Sequence, residues 1–434
     1  MSRALLSPYT HFLRAGSTLR WHGRVNQVVG NLIESDGPYC SVGESCEIIG
    51  HGRSYSGEII GFRQSTMLAM TADQPQGIRY GDQIITWGAR PSIRVGPEML
   101  GRVIDSSGNP LDALPDYRAT HSIALDGSAP LPLERVTIRE PLSCGIRAID
   151  AFLTCGRGQR IGVFGGSGVG KSTLIGMMAR GTAADMTVLA LVGERGREVG
   201  EFLEVLGADG LSRAVVVVST SDQSPLLRIR AALAATAVAE HFAALGKNVL
   251  LIVDSLTRFA MAQREIGLAA GEPPTAKGYT PSVLNKLARL VERAGNFSQG
   301  SITAFYTVLM EGDDQLDPVV DTVRSLLDGH VILDRNLAMR SQYPPISIIE
   351  SLSRLMSSMV SKEHLAKANA LRLSLASYAR SEDLIRIGAY QKNSDPVLDS
   401  AIQNLPALNK FLQQKPDDLY KYEQVVELLM ALPG

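Results

Sequence analysis

The chain has 434 residues, of which 45% are hydrophobic and 20% charged, enough apolar content for a multidomain globular protein with a substantial core. A formal net charge of −1 gives no basic signal for nucleic acid or anionic lipid. No apolar run reaches the ~18 residues of a membrane span, no signal peptide opens the chain, and Cys40, Cys46, Cys144 and Cys155 form no Cys-x-x-Cys pair, which predicts a cytoplasmic protein with reduced thiols.

In chain order, residues 1–17 form a short arm in which Leu5, Leu6, Tyr9, Phe12 and Leu13 share one helical face and Pro8 suits a first helical position. A docking or membrane-touching helix and an arm packed on its own domain fit this pattern equally. Residues 18–93 read as β. Short alternating runs such as Arg24–Val28 and Gln83–Trp87 are broken by glycine-bearing turns, and their spacing predicts a small closed barrel. Such barrels often bind nucleic acid. Between Ser17 and Val95, however, seven arginines (Arg20, Arg24, Arg53, Arg63, Arg79, Arg90, Arg94) stand against seven acids (Glu34, Asp36, Glu44, Glu47, Glu58, Asp73, Asp82), which makes no electrostatic funnel.

Residues 94–360 alternate strand-like and helix-like segments. Thr187–Val192, Ala214–Ser219, Val249–Asp254 and Ser301–Leu309 are apolar and are separated by alanine- and leucine-rich stretches of helical length, the pattern of a parallel sheet with helices on both faces. Within this region Gly165-Gly166-Ser167-Gly168-Val169-Gly170-Lys171-Ser172 is a complete phosphate-binding loop. Strand-length Arg160–Phe164 precedes it, and a helical start from Thr173 follows. Glycines let backbone N–H groups curl around a phosphate at a helix N-terminus. Lys171 would reach the β/γ-phosphates of a nucleoside triphosphate and the Ser172 hydroxyl would ligate Mg²⁺. A chance glycine-rich turn does not explain eight residues in register behind a strand.

Three more elements suit nucleotide chemistry. Asp254 ends the apolar strand Val249–Val253, where a carboxylate can hold Mg²⁺ beside Ser172. Gly193-Glu194-Arg195-Gly196-Arg197-Glu198 follows another strand. Glu194 at the strand end is placed to orient or deprotonate an attacking water, Glu198 lies about a turn further on, and Arg195 can steady the γ-phosphate. The bland reading of this cluster is a solvated helix cap. Finally, an arginine remote in sequence can act on a neighbour's nucleotide, but spacing alone does not separate Arg354 from Arg324, Arg335 or Arg340. Residues 361–434 carry helical periodicity to Tyr422–Met430 and predict a small helical domain.

With these residues in hand, the chain resembles the ATPases of bacterial type III protein export, the flagellar and injectisome branch of the rotary ATPase family. The resemblance rests on the phosphate loop, on Gly193–Val199, Leu251–Ala260, Gly271-Glu272-Pro273-Pro274 and Gly300–Leu309, and on Glu311-Gly312-Asp313-Asp314, and it runs from about residue 18 to the end. It implies an α/β fold with a RecA-like P-loop core, preceded by the barrel and followed by the helical domain, assembled as a homohexamer with ATP and Mg²⁺ between neighbours. It also implies Glu194 as catalytic carboxylate, Arg195 near the γ-phosphate, Arg354 as the finger given to the adjacent subunit, and Tyr343 stacked on adenine. On that pattern the nucleotide contacts run from Gly165 through Thr173.

The implied partners are export substrates and their chaperones, a peripheral regulator and a central stalk. The implied location is peripheral, at the cytoplasmic face of the inner membrane through the export gate, with no nucleic acid. Gly388-Ala389-Tyr390-Gln391-Lys392, Ser394-Asp395-Pro396 and Asn31–Ser35 resemble flagellar members. An injectisome ATPase is the near alternative and a hexameric nucleic-acid motor the distant one. A silent ring subunit would be expected to lose Lys171, Glu194 or Arg354, and all are present. The chain departs from the pattern in three places. Pro345 and Ser347 stand in a more usual Tyr-Pro-Ala-Ile-Asp, Asn393 stands where glycine is common, and the arm before the barrel is short.

Overall fold

In the computed structural model, which describes residues 19–310 and 317–433, the alternating apolar segments near the start close into a six-stranded barrel. The predicted arm and Glu311-Gly312-Asp313-Asp314 lie outside the described residues. The barrel strands are β1 (Trp21–Val29), β2 (Leu32–Asp36), β3 (Ser45–Gly50), β4 (Arg53–Arg63), β5 (Thr66–Thr71) and β6 (Gln83–Thr86), ordered β1-β2-β5-β4-β3-β6. Inward-facing Val25, Ile33, Ile48, Ile59 and Ile84 fill it, as the period of two requires.

A chain of short strands leads into the core. These are β7 (Ser92–Val95), β8 (Arg102–Asp105), β9 (His121–Ala124), which pairs with β7, and the antiparallel pair β10 (Pro141–Leu142) and β11 (Cys155–Gly156). The core strands are β12 (Arg160–Gly165), β13 (Met186–Glu194), β14 (Ala214–Thr220), β15 (Asn248–Asp254), β16 (Gly295–Asn296), β17 (Ser301–Leu309), β18 (Gly329–Ile332) and β19 (Leu352–Ser353). They join β8 in a sheet ordered β19-β18-β12-β17-β15-β13-β14-β8, with β16 beside β17. The central ladders are parallel, while β19 runs antiparallel at the edge. A fully buried parallel sheet must be apolar on both faces. Val188, Ala190, Val249, Leu251 and Val253 accordingly join one core, and Leu189, Leu191, Leu250 and Ile252 the other.

The second face is covered by the helices Lys171–Gly181 and Gly196–Ser212 and also by the C-terminal helices Lys362–Arg386, Pro396–Leu412 and Tyr422–Met430, whose Leu371, Phe411 and Val425 enter the same core. Asn393, just before the second of these, holds φ 72°. Its side chain type tolerates that left-handed geometry, and its N–H donates to Asp399 Oδ2 at 2.7 Å.

Candidate functional site

The parallel sheet brings the C-terminal ends of β12, β15 and β13 to one rim, the place where ligands bind in such sheets. From β12 the chain turns through the phosphate loop into the helix Lys171–Gly181. Gly168 and Gly170 take φ of 77° and 99°, a region open to glycine, and the turn depends on it. Gly170 is the N-cap and supplies no side-chain acceptor, so the amides of the first turn face the loop mouth. Ser172 and Thr173 lie exposed on that turn.

Lys171 bends back to the sheet. Its Nζ is 3.1 Å from Asp254 Oδ1, which also accepts the Thr307 hydroxyl at 2.6 Å from the intervening strand β17. Asp254 is 3% exposed, so its charge is held in place by this pair and this hydroxyl.

Glu194 is re-aimed by a bulge. Val192 pairs with Ser219 and Glu194 with Thr220, which leaves Gly193 unpaired at φ 69°. A β-carbon on Gly193 would stand 3.2 Å from Arg258 Cβ, so glycine lets Arg258 pack beside the carboxylate. Burial raises the Glu194 carboxyl to about 7, the Asp254 charge and a hydrogen bond with Glu198 add to the rise, and Lys171 and Arg258 oppose it. A carboxyl poised there suits general-base work near neutral pH. Arg258 Nε is buried with no hydrogen-bond partner among the described residues, a donor ready for an anion.

Beside the loop, the Tyr343 ring comes close to Gly170, where a β-carbon would lie 3.9 Å from Tyr343 Cδ1. Tyr343 is 51% exposed and lines a cavity of about 680 Å³ with Thr173, Leu174, Met177, Pro344 and Pro345. Buried Gln414 secures this wall. Its N–H donates to the Tyr343 carbonyl at 2.8 Å, its Nε2 to the Gly145 carbonyl at 2.8 Å, and its Oε1 accepts from Arg147 N–H at 2.9 Å. The Pro345 carbonyl accepts from Asp334 N–H at 2.9 Å.

Lys171, Asp254 and Glu194 therefore converge, with the Ser172 turn and Tyr343 alongside, but two predicted residues stand apart. The Arg195 side chain is 73% exposed and reaches Glu198 at 3.6 Å. Arg354 follows β19 at the level of Asp328, whose carbonyl accepts its N–H at 3.0 Å, beside Arg160 at the opposite end of β12 from the loop. Five strand steps separate the two ends, about 16 Å. Its competitors are placed otherwise. Arg340 pairs with Glu382 at 3.0 Å, Arg324 covers the Phe164 ring at 5.5 Å, and the Arg335 guanidinium lies against Gly166 of its own loop.

Thr307, Arg258, Gln414 and the Gly193 bulge escape a sequence reading. Thr307 leaves a trace as a hydroxyl near the end of a mostly apolar strand, and Arg258 lies in the Leu251–Ala260 stretch that carries the resemblance. Ser172 and Asp254 are oxygen donors of the type Mg²⁺ prefers, and among the described residues no group of three or more metal-ligating side chains exists. These two would hold the ion together with substrate phosphates and water.

Residues 145–353 match the model of the ATP synthase alpha/beta family, nucleotide-binding domain, and residues 360–431 that of the T3SS EscN ATPase C-terminal domain. The chain is 49% identical over 417 residues to the flagellum-specific ATP synthase of Bacillus subtilis (strain 168), covering 95% of each chain. It is 46% identical to the type 3 secretion system ATPase of Xanthomonas euvesicatoria, covering 95% of this chain and 94% of that one. Among solved structures it is similar to the assembled ATPase EscN in complex with its central stalk EscO, from the type III secretion system of enteropathogenic E. coli. That match has a TM-score of 0.87 and 43% identity over 94% of this chain and 98% of the other.

Proposed function

We propose, for a chain that belongs to the ATP synthase alpha/beta family, an ATP-driven role in type III protein export in which neighbouring subunits complete each other's sites. The chain is a P-loop ATPase of type III export, on the flagellar side by its relatives. Lys171 and the loop amides hold the β/γ-phosphates, and Tyr343 stacks on the adenine. Ser172 and Asp254 hold Mg²⁺, which when bound neutralises phosphate charge. Glu194 takes a proton from the attacking water, and Arg195 steadies the surroundings of the γ-phosphate. Arg354 acts on the nucleotide of the next subunit in a homohexamer, where such fingers contribute about 10³–10⁵ in rate.

The observation that carries this reading is the split placement of the machinery. Lys171, Asp254 and Glu194 meet at one rim, while Arg354 stands at the other end of β12, out of reach of its own loop. The stalk partner follows from the likeness to the EscN–EscO complex. Export substrates, their chaperones and a peripheral regulator are proposed as further partners, with the enzyme peripheral at the cytoplasmic face of the inner membrane through the export gate. No described helix is long and apolar enough to cross a membrane.

The injectisome reading stays close, since a type 3 secretion system ATPase matches almost as well as a flagellum-specific one. ATPase rate measured against protein concentration, with mass followed by light scattering, tests the shared site. A rate per subunit that climbs as hexamers form supports it, and a flat rate from monomers sinks it.

A further inference from the structure

Arg354 is long and exposed, yet its root is gripped by a polar cluster around the buried Gln159 that the catalytic reading does not use. Gln159, fully buried, is the residue immediately before β12. Its Oε1 accepts from Gly156 N–H at 2.8 Å, and its Nε2 donates to the Asp328 carbonyl and to Ser353 Oγ, both at 3.2 Å. The Ser353 hydroxyl in turn donates to the Thr154 carbonyl at 3.0 Å. The same Asp328 carbonyl accepts Arg354 N–H, while the Asp328 carboxylate takes Arg160 N–H at 3.0 Å and its guanidinium at 3.1 Å. Ser353 and Asp328, the two anchors of Arg354, thus meet on one amide at the foot of the phosphate-loop strand. A two-residue edge strand has few ladder bonds of its own with which to fix a side chain.

We propose that Gln159 and Ser353 are positioning residues for Arg354, clamping the arginine that one subunit presents to its neighbour onto the strand that carries its own phosphate loop. The inference rests on the trans reading of Arg354. A polar clamp whose named atoms are all paired holds one geometry, whereas removing Ser353 leaves one Gln159 N–H and the Thr154 carbonyl without that partner. Small misplacements of a catalytic group are costly in rate, up to about 10²-fold per ångström.

The test uses the full chain as hexamers. Ser353→Ala should lower kcat by roughly 10- to 100-fold while ATP KM and hexamer mass hold, because the arginine acts in the transition state. Ser353→Thr, which keeps the hydroxyl, should restore the rate. The double variant Ser353→Ala/Arg354→Ala should be no slower than Arg354→Ala alone. Should Ser353→Ala fail to form hexamers, Ser353→Cys keeps the volume while weakening both bonds and should show the same kcat loss. Intact hexamers of either variant that turn over within about twofold of the parent would overturn the clamp. So would a double variant slowed by the full product of the two single effects. If Arg354→Ala alone runs at the parent rate, it is the trans reading that fails, a result distinct from a silent Ser353.

Discussion

Lys171 Nζ lies 3.1 Å from Asp254 Oδ1, so the helix after the phosphate loop and the strand two places across the sheet share one buried charge pair. Lys171→Ala removes the proposed phosphate ligand together with the cation that faces Asp254. A charge-assisted hydrogen bond contributes about 1.5–3 kcal/mol, so nucleotide affinity should fall by roughly 10- to 100-fold and turnover should vanish. Titration with a fluorescent ATP analogue measures the first, with thermal unfolding run alongside because Asp254 loses its partner. Undiminished binding would remove Lys171 from the phosphate site.

Glu194→Gln keeps the shape of the carboxylate but not its basicity. ATP should stay bound with affinity near that of the parent, while hydrolysis falls by about 10²–10⁴-fold, the usual contribution of a positioned base. A variant with most of its activity left would assign the base elsewhere.

The Glu194 carboxyl, raised to about 7 by burial, then by Asp254 and Glu198, must be ionised to accept a proton. kcat/KM for ATP should therefore drop as pH falls below about 7 and level off above it. Glu198→Gln removes one raising influence, so the midpoint should move to lower pH. In stability the sign reverses. A carboxyl whose folded value is raised contributes stability present at acid pH and lost as pH rises through about 7. A pH–rate profile with a midpoint unchanged in Glu198→Gln would break the link between these two carboxyls.

Thr307→Val deletes the hydroxyl that orients Asp254 and keeps the side-chain shape. The Mg²⁺ concentration for half-maximal activity should rise about tenfold, the lower end of what a hydrogen bond to a charged group contributes. An unchanged Mg²⁺ titration would mean that Lys171 alone fixes the carboxylate.

Much of this site was legible in the chain because its parts are local. The phosphate loop, the strand ending in Asp254 and the strand ending in Glu194 each carry their chemistry within about ten residues, and the parallel order of the sheet then brings their ends together. What stayed hidden depends on contacts between distant segments. Thr307 reaches Asp254 across a strand pair, Gln414 reaches Tyr343 from the loop after the helix Pro396–Leu412, and Arg258 gains its place from a bulge at Gly193. The edge strand Leu352–Ser353 is too short to signal itself by alternation, so neither the position of Arg354 at the foot of β12 nor the Gln159 clamp could be read from spacing.

The most direct test of the shared site mixes two inactive proteins, Lys171→Ala and Arg354→Ala, and follows ATPase rate in the co-assembled hexamers. Where an Arg354→Ala subunit supplies an intact loop and its Lys171→Ala neighbour supplies the arginine, a complete site forms and activity should return. Mixed hexamers verified by mass that remain as inactive as their parents would contradict an arginine acting across the subunit boundary.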